Sequence, residues 1–340
     1  MKGKILKRDI ARNKVITSTL FLFILMAAML VSSAVALITQ LFGAMDALLE
    51  RSNAAHFAQL PMGELTQSDI DDFSATHSDI VKAQQTVALL GINGSSIFLA
   101  DNTESEADSA MENSFVVQNK GFDLLLGSNN EPANVRDGEI AVPIYHMQHY
   151  DLNIGDTVTV RTGDFTKVFT IVDFVKDSLM NPSLLNSKRF LVSENDWRAL
   201  YANTGEIEYL IEFQLTDLDR LGQFESLYQN SGLPQKGTGM AYTLVRLITA
   251  MSDGISAAVI ILISLLLMVI AALCLRFPLI TTMEEDYGEI GVMKAIGTAV
   301  NDIRDIYLAK YVVLAVAAGI SGYLLSLPVG SVFTRNITLY

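Results

Sequence analysis

Cysteine is nearly absent from this sequence: Cys274 is the only one in 340 residues, and it lies in an apolar run rather than in the polar stretch between Asp46 and Asp253. That stretch therefore holds no disulfide. Its stability must come from a hydrophobic core, which a segment of roughly two hundred residues can supply. Catalytic signatures are missing as well. No Gly-x-x-x-x-Gly-Lys-Ser/Thr is present to cradle nucleotide phosphates, and neither Gly-x-Ser-x-Gly nor His-Glu-x-x-His occurs. Of the four histidines, His146 and His149 stand three apart and would share a helical face at metal-ligand spacing. No cysteine is at hand to complete such a site and the nearest carboxylate is Asp151, so the pair reads as surface histidines. An enzyme has no constellation to rest on, and neither a metal nor any other cofactor is implied.

Charge is missing from three long gaps. No ionisable residue occurs between Lys14 and Asp46, between Asp253 and Arg276, or between Lys310 and Arg335, gaps of 31, 22 and 24 residues. At about 1.5 Å per residue, roughly 20 helical residues cross a hydrocarbon core about 30 Å thick. The content is apolar on every face, as in Phe21-Leu22-Phe23-Ile24-Leu25-Met26 and Val259-Ile260-Ile261-Leu262-Ile263, where a soluble helix would keep a polar stripe. The expected fold is a membrane α-helical protein of three spanning helices, residues 15–45, 254–275 and 311–334, with an α+β domain inserted between the first and second. The basic leader before the first gap resembles that of a signal peptide, but the apolar run is about twice the length of a signal core, so it reads as an uncleaved anchor. With no charge inside the spans, no proton relay or ion path is indicated.

Positive charge sets the orientation. Residues 1–14 carry Lys2, Lys4, Lys7, Arg8, Arg12 and Lys14 against Asp9 alone, which places the N-terminus in the cytoplasm of a multi-pass protein of the cell membrane. Residues 46–253 are then extracytoplasmic, 276–310 form a cytoplasmic loop, and 335–340 an outer stub. The outer segment holds 13 Lys plus Arg against 30 Asp plus Glu. The acidity of the chain thus belongs to one domain, and no nucleic-acid partner is indicated. Such a domain attracts cationic peptides, although solubility alone accounts for charge of this kind.

The outer segment alternates strand and helix signals. Thr66-Gln67-Ser68-Asp69 has the form of a capping box. Val87–Ile92 and Ser96–Leu99 flank Asn93-Gly94, a two-residue hairpin signal. Glu139–Pro143 reads as a strand followed by a helical turn. Thr157–Arg161 and Val168–Val172 read as partner strands around Gly163-Asp164. Glu206–Leu215 is a further strand, and Asp217–Gln229 a helix with Leu218, Leu221, Phe224 and Leu227 on one side.

The cytoplasmic loop is the most specific string. In Thr282-Met283-Glu284-Glu285-Asp286-Tyr287-Gly288-Glu289-Ile290-Gly291-Val292-Met293-Lys294-Ala295-Ile296-Gly297, acids crowd an expected first helical turn and Lys294 lies near the end, matching the helix dipole. Gly297 suits a C-terminal cap. Ile303, Ile306, Tyr307 and Lys310 then follow at helical spacing into the third span. The expectation is a short helix, a bend, and a helix continuous with a membrane segment.

This run closely resembles the loop signature of FtsX/MacB-like ABC transporter permeases, and the order of parts is similar too. Asp137-Gly138-Glu139-Ile140-Ala141-Val142, followed by Leu152-Asn153-Ile154-Gly155-Asp156-Thr157-Val158, resembles the family's ectodomain pattern, so 46–253 is expected to be of the MacB-like periplasmic type. The resemblance implies a permease subunit worked by a separate cytoplasmic ABC ATPase. The coupling residues are expected to be Glu285, Asp286, Glu289, Ile290, Gly291, Lys294, Ala295 and Gly297. The implied work is mechanotransmission, or export of peptide, lipoprotein or lipid. Where many relatives carry Arg before Glu-Ile-Gly this chain has Gly288, which removes a cationic contact and costs about 1 kcal/mol of helix stability relative to Ala. The family unit also has a fourth span. The chain is therefore expected to be the N-terminal portion of a longer permease, partnered in the membrane by lipid and by a second permease chain or the missing C-terminal half. The small-residue string Ala315–Gly322 is expected to await that partner. The alternative is a membrane-anchored sensor with an outer ligand domain, but the longest inner segment, residues 276–310, is too short for an output domain.

Overall fold

The computed structural model describes residues 14–62, 65–100, 104–181, 185–204, 206–285, 287–297 and 299–334. The basic N-terminus through Asn13, Asp286 and the 335–340 stub lie outside the described residues. In chain order the elements begin with helix α1 (Lys14–Arg51), strand β1 (Phe57–Pro61), α2 (Gln67–Thr76), β2 (Val81–Ile92), β3 (Ile97–Leu99), β4 (Glu104–Ser105) and β5 (Glu112–Val116). They continue with β6 (Glu139–Pro143), α3 (Ile144–Tyr150), β7 (Thr157–Thr162), β8 (Phe165–Val175), β9 (Ser187–Val192), α4 (Glu194–Tyr201) and β10 (Glu206–Leu215). Last come α5 (Leu221–Gln229), β11 (Gly237–Ala241), α6 (Tyr242–Glu285), α7 (Tyr287–Ala295) and α8 (Val300–Thr334). The chain divides into a helical unit, made of residues up to Leu41 and from Asp253 onward, and a sheet unit, Phe42–Ser252.

The sheet unit is a mixed α/β domain. Its eleven described strands lie in the order β11-β1-β10-β2-β5-β9-β6-β8-β7-β3-β4, with β5–β9 and β6–β8 parallel and the other pairs antiparallel. Period-two alternation turns Leu90, Phe115, Ile140, Phe169 and Phe190 into one buried cluster and Leu89, Val116, Ala141, Leu191 and Leu210 into another. Over β1 and β10, α2 and α5 bring Phe73, Phe224 and Tyr228 against Phe57 and Phe213, with ring centroids 5.0–6.4 Å apart, a spacing at which tilted aromatic pairs attract beyond their burial.

The family-like strings in this unit make turns. Asp137 accepts from Ser193 Oγ (2.6 Å) and Asn195 Nδ2 (2.9 Å) at the start of α4, and Gly138, at φ +81°, donates its N–H to Asp196 Oδ2 (2.6 Å). Asp156 Oδ2 accepts from the Asn153 N–H at 2.7 Å, with Gly155 at φ +98°; a side chain at either glycine would strain the turn. Two expectations fail locally. The Thr66 hydroxyl makes no cap, and α2 is instead closed by the Asp69 N–H on the Thr66 carbonyl. Asn93-Gly94 is no hairpin: Asn93 sits at φ −57°, where a two-residue hairpin needs a positive value, and its side chain caps a 3-10 turn over Gly94–Ser96. β2 pairs with β10 and β5, while β3 leaves for β7 and β4.

In the helical unit, α1 and α8 contain stretches long and apolar enough to cross a membrane, Thr17–Arg51 and Tyr311–Pro328; in α6 the corresponding described run is shorter, Ile261–Ile270. On α6, Leu262, Leu265, Leu266, Met268, Val269 and Leu273 are each at least half exposed, around the whole helix, while Ser264 is buried. Water does not tolerate apolar exposure of that extent, and a bilayer does. The small-residue string on α8 is already partly engaged. A Cβ on Gly322 would lie 2.6 Å from the Leu25 carbonyl oxygen and 2.9 Å from Ala28 Cβ, and Ala318 is fully buried one turn earlier. Thus Gly322 of the Ala318-x-x-x-Gly322 pair packs on α1, whereas a Cβ at Gly319 would meet nothing within 4 Å among the described residues. Gly322→Leu is expected to lower the melting temperature of the detergent-solubilised chain by several degrees, and Gly319→Leu to leave it within a degree or so, as cavity-free overpacking costs about 1–3 kcal/mol only where atoms already touch. Equal melting of the two variants would refute the contact.

Candidate coupling segment and buried charge centres

Strand β9 carries two adjacent basic residues, Lys188 and Arg189, and alternation sends them to opposite faces of the sheet, both buried. Lys188 Nζ donates to the Met180 and Leu185 carbonyls at 2.7 and 2.8 Å, and burial pulls its pKa down to about 8, against the attraction of Asp177. Arg189 forks onto Asp177 through Nε (2.6 Å) and Nη2 (2.5 Å) and reaches Asp123 Oδ2 through Nη1 at 2.7 Å. A third acid, Glu212 on β10, stands 3.7 Å from Nη1 and accepts from Gln85 Nε2 at 2.6 Å. One guanidinium does not neutralise three carboxylates. Burial, and then the charge of Asp123, push the Glu212 carboxyl well above the usual range, and the protonated acid donates to Asp123. The loop holding Asp123, a residue at φ +49°, is thereby tied to the sheet.

The two histidines part company. His149 is exposed, but His146 is fully buried, which corrects the reading of a surface pair; α3 turns it inward beside Ile144, against the Phe190 ring at 4.7 Å. Its Nε2 lies 3.3 Å from Oε2 of the equally buried Glu106. Burial pushes the Glu106 carboxyl up, and the hydrogen bond and charge of His146, with Tyr150 and Asn113, more than reverse this and hold it at about 2. His146 itself is kept below its ordinary value by burial. Among the described residues no three His, Cys, Asp or Glu side chains come together as a metal site.

In the helical unit the loop string folds as a free-standing short helix. α6 stays helical through Glu285, so Glu284 and Glu285 close one helix instead of opening the next, and Glu289 alone falls in the first turn of α7. Met283-Glu284-Glu285 are strong helix formers and prolong α6. Asp286 lies outside the described residues. α7 carries Glu289, Ile290, Gly291, Lys294 and Ala295. It ends as expected, with Gly297 at φ +89° and its N–H on the Lys294 carbonyl at 3.0 Å. After the bend, α8 runs from Val300 through the apolar stretch; Ile303 is buried at its start. On α7, Ile290 and Met293 are half-buried, whereas Gly291, Lys294 and Ala295 are exposed. Three apolar side chains stand out into solvent: Tyr287 (78 % exposed), Val292 (63 %) and Ile296 (76 %). Among the described residues, a Cβ at Gly288 or Gly291 would meet nothing within 4 Å.

Residues 261–340 match the family model described as FtsX-like permease C-terminal. That stretch is similar to the C-terminal domain of FtsX-like permeases. It takes in the described apolar run of α6, all of α7 and all of α8. Among solved structures, the chain is similar to the periplasmic region of MacB from Actinobacillus actinomycetemcomitans, at 10 % identity and a TM-score of 0.32, covering 58 % of this chain and 94 % of that one. It is also similar to a domain of a putative permease protein from Porphyromonas gingivalis, at 13 % identity and a TM-score of 0.30, covering 55 % and 86 %. No curated protein matches the sequence. The buried pair Glu106–His146 and the Arg189 cluster escape a reading of the sequence. The one available signal was Lys188-Arg189 inside Phe190-Leu191-Val192, where adjacent charges in a strand with no polar face must be buried and paired.

Proposed function

We propose that this chain is the permease subunit of an ABC transporter, a multi-pass protein of the cell membrane with its N-terminus in the cytoplasm. The observation that carries this reading is the FtsX-like match over residues 261–340, which centres on a short helix with apolar side chains projecting unpartnered between two apolar helices. In the proposed mechanism a separate cytoplasmic ATPase docks on α7. Gly291 and Ala295 let its backbone come close, Tyr287, Val292 and Ile296 fill pockets on it, and Lys294 meets an acid. ATP-driven closure of the ATPase pushes α7, and because only the bend at Gly297 separates α7 from α8, the push becomes a movement of the spans and of the outer domain. Three spans, at 15–45, 254–275 and 311–334, and an outer domain at 46–253 complete the arrangement. Glu285, Asp286, Glu289 and Ile290 flank or form the docking helix. The open Ala315-x-x-x-Gly319 face of α8 suits a second permease chain or a further span. The work is mechanotransmission, or export of a peptide, lipoprotein or lipid.

Orientation is tested with single cysteines in a Cys274→Ala background. Ser95→Cys is expected to react with a membrane-impermeant thiol reagent on intact cells, and Ile296→Cys only after permeabilisation. The reverse pattern sinks the topology, and failure of the chain to co-purify with any ATP-hydrolysing subunit sinks the transporter reading.

A further inference from the structure

At one end of β2, β5 and β10, where Gly91 faces Glu206 and Ile92 faces Asn113 across the ladder, the sheet unit opens into a cleft of about 740 Å³. Its charged lining residues are all acids, Glu106, Glu112, Glu206 and Glu208, with no Lys or Arg among them. In so acidic a domain this alone would mean little. The floor is more particular. Glu106 and Asn113 are buried, at 1 % and 3 % exposure. Asn113 Nδ2 and His146 Nε2 both lie 3.3 Å from the same carboxylate oxygen, Glu106 Oε2. That leaves Glu106 Oε1 and Asn113 Oδ1 without a hydrogen-bond partner among the described residues, and the Thr162 hydroxyl of the same lining is unpartnered too. Buried acceptors are rarely left open unless something fills them. The place is also built to be tight: a Cβ on Gly94 would stand 2.3 Å from the Glu106 carbonyl oxygen, so only glycine lets the Asn93–Ser96 turn close over it.

We propose that this cleft binds a primary alkylammonium group, as carried by a linear polyamine. Its N–H donors would go to Glu106 Oε1, Asn113 Oδ1 and Thr162 Oγ1, and the remaining cationic chain would lie along the exposed Glu112, Glu206 and Glu208. The chemistry selects the ligand. Three open oxygens match the three N–H donors of a primary ammonium, the ionised Glu106 supplies the opposite charge, and charge-assisted hydrogen bonds are the strong kind. A lone water, whose share of liquid volume is about 30 Å³, does not fill the space. The site stands whether or not the chain couples to an ATPase.

The test titrates 1,4-diaminobutane into the full chain in lipid nanodiscs by calorimetry. One saturable site is expected. The fully N-methylated diquaternary analogue, of equal charge but without N–H, should bind at least tenfold more weakly. Glu106→Gln and Asn113→Leu should each weaken the diamine at least tenfold, and Glu208→Gln by about two- to threefold, as for an exposed charge. If Glu106→Gln unfolds the domain, Thr162→Val, nearly isosteric, reports in its place with a several-fold loss. Equal affinity for the quaternary analogue would mean bulk electrostatics, and no saturable binding would mean that water alone occupies the acceptors. Either result overturns the proposal, as does unchanged binding in both Asn113→Leu and Thr162→Val.

Discussion

Arg189→Ala is expected to destabilise the sheet domain by about 3–5 kcal/mol, the usual cost of removing one partner from a buried ion cluster. Out of the roughly 5–15 kcal/mol that hold an ordinary domain folded, that is enough to make it protease-sensitive at growth temperature. The loss comes from what remains. Asp177 and Asp123 are left at 4 % and 0 % exposure with no guanidinium to answer them. Glu212→Gln should behave in the opposite way. Burial, then the charge of Asp123, raise the folded-state pKa of Glu212 above its ordinary 4.5. The folded chain thus holds a proton that the unfolded chain releases above about pH 4.5. The contribution of this group is therefore fully present below pH 4.5 and is lost as pH rises toward the folded value. Glutamine offers an N–H donor to Asp123 in the same place and does not titrate. The variant should match wild type near pH 4 and become the more stable of the two by pH 7–8. Thermal melts of the full chain at pH 4, 6 and 8 measure this, and parallel pH profiles for the two proteins would show that Glu212 is ionised in the fold.

How legible this arrangement was depends on the scale of the signal. β6 and β10 are readable because Glu139–Pro143 is an apolar run directly after Asp137-Gly138 and Glu206–Leu215 is rich in Ile, Leu, Tyr and Phe up to Thr216-Asp217, and the β7–β8 hairpin because Gly163 supplies the positive φ of its turn, +58°. Asn93-Gly94 misleads because the same dipeptide serves an Asn-capped 3-10 turn as readily as a hairpin, and only the packing of Gly94 on Glu106 decides between them. Sheet order is not a local property: nothing in the strings of β5 and β9 says that strands separated by some seventy residues lie side by side and parallel. His146 and Glu106, forty residues apart, meet only through that order. The loop helix is the reverse case. Its glycine stop and its continuation into α8 are short-range and legible in the sequence, whereas its start is not, because Met283-Glu284-Glu285 prolong α6 instead of opening α7. Its exposure is what the structure adds.

That exposure supports the second large effect. Gly291→Asp is expected to reduce stimulation of the partner ATPase about thirtyfold, the equivalent of a 2 kcal/mol interface hot spot, while the sheet domain keeps its melting temperature. Among the described residues nothing lies within 4 Å of the site where the new Cβ would go, so the side chain has room there. A carboxylate there obstructs only a surface that comes from outside. Lys294→Glu reverses the only cation on α7 and should act in the same direction through charge, and its defect should shrink at high salt, as that of an exposed pair must. Gly288→Ala is the internal control. It too meets open space, and it should stabilise α7 by about 0.5–1 kcal/mol with no loss of coupling unless the backbone at Gly288 is itself in the interface. Three outcomes are then separable in a reconstituted assay of ATP hydrolysis. Loss in Gly291→Asp and Lys294→Glu with Gly288→Ala intact places the docking face along Gly291, Lys294 and Ala295. Loss in all three extends it one turn toward the N-terminus, to Tyr287 and Gly288 on the same side of the helix. Normal binding and stimulation in all three would mean that the exposed apolar side chains of α7 face lipid rather than an ATPase, and the coupling assignment would have to be given up.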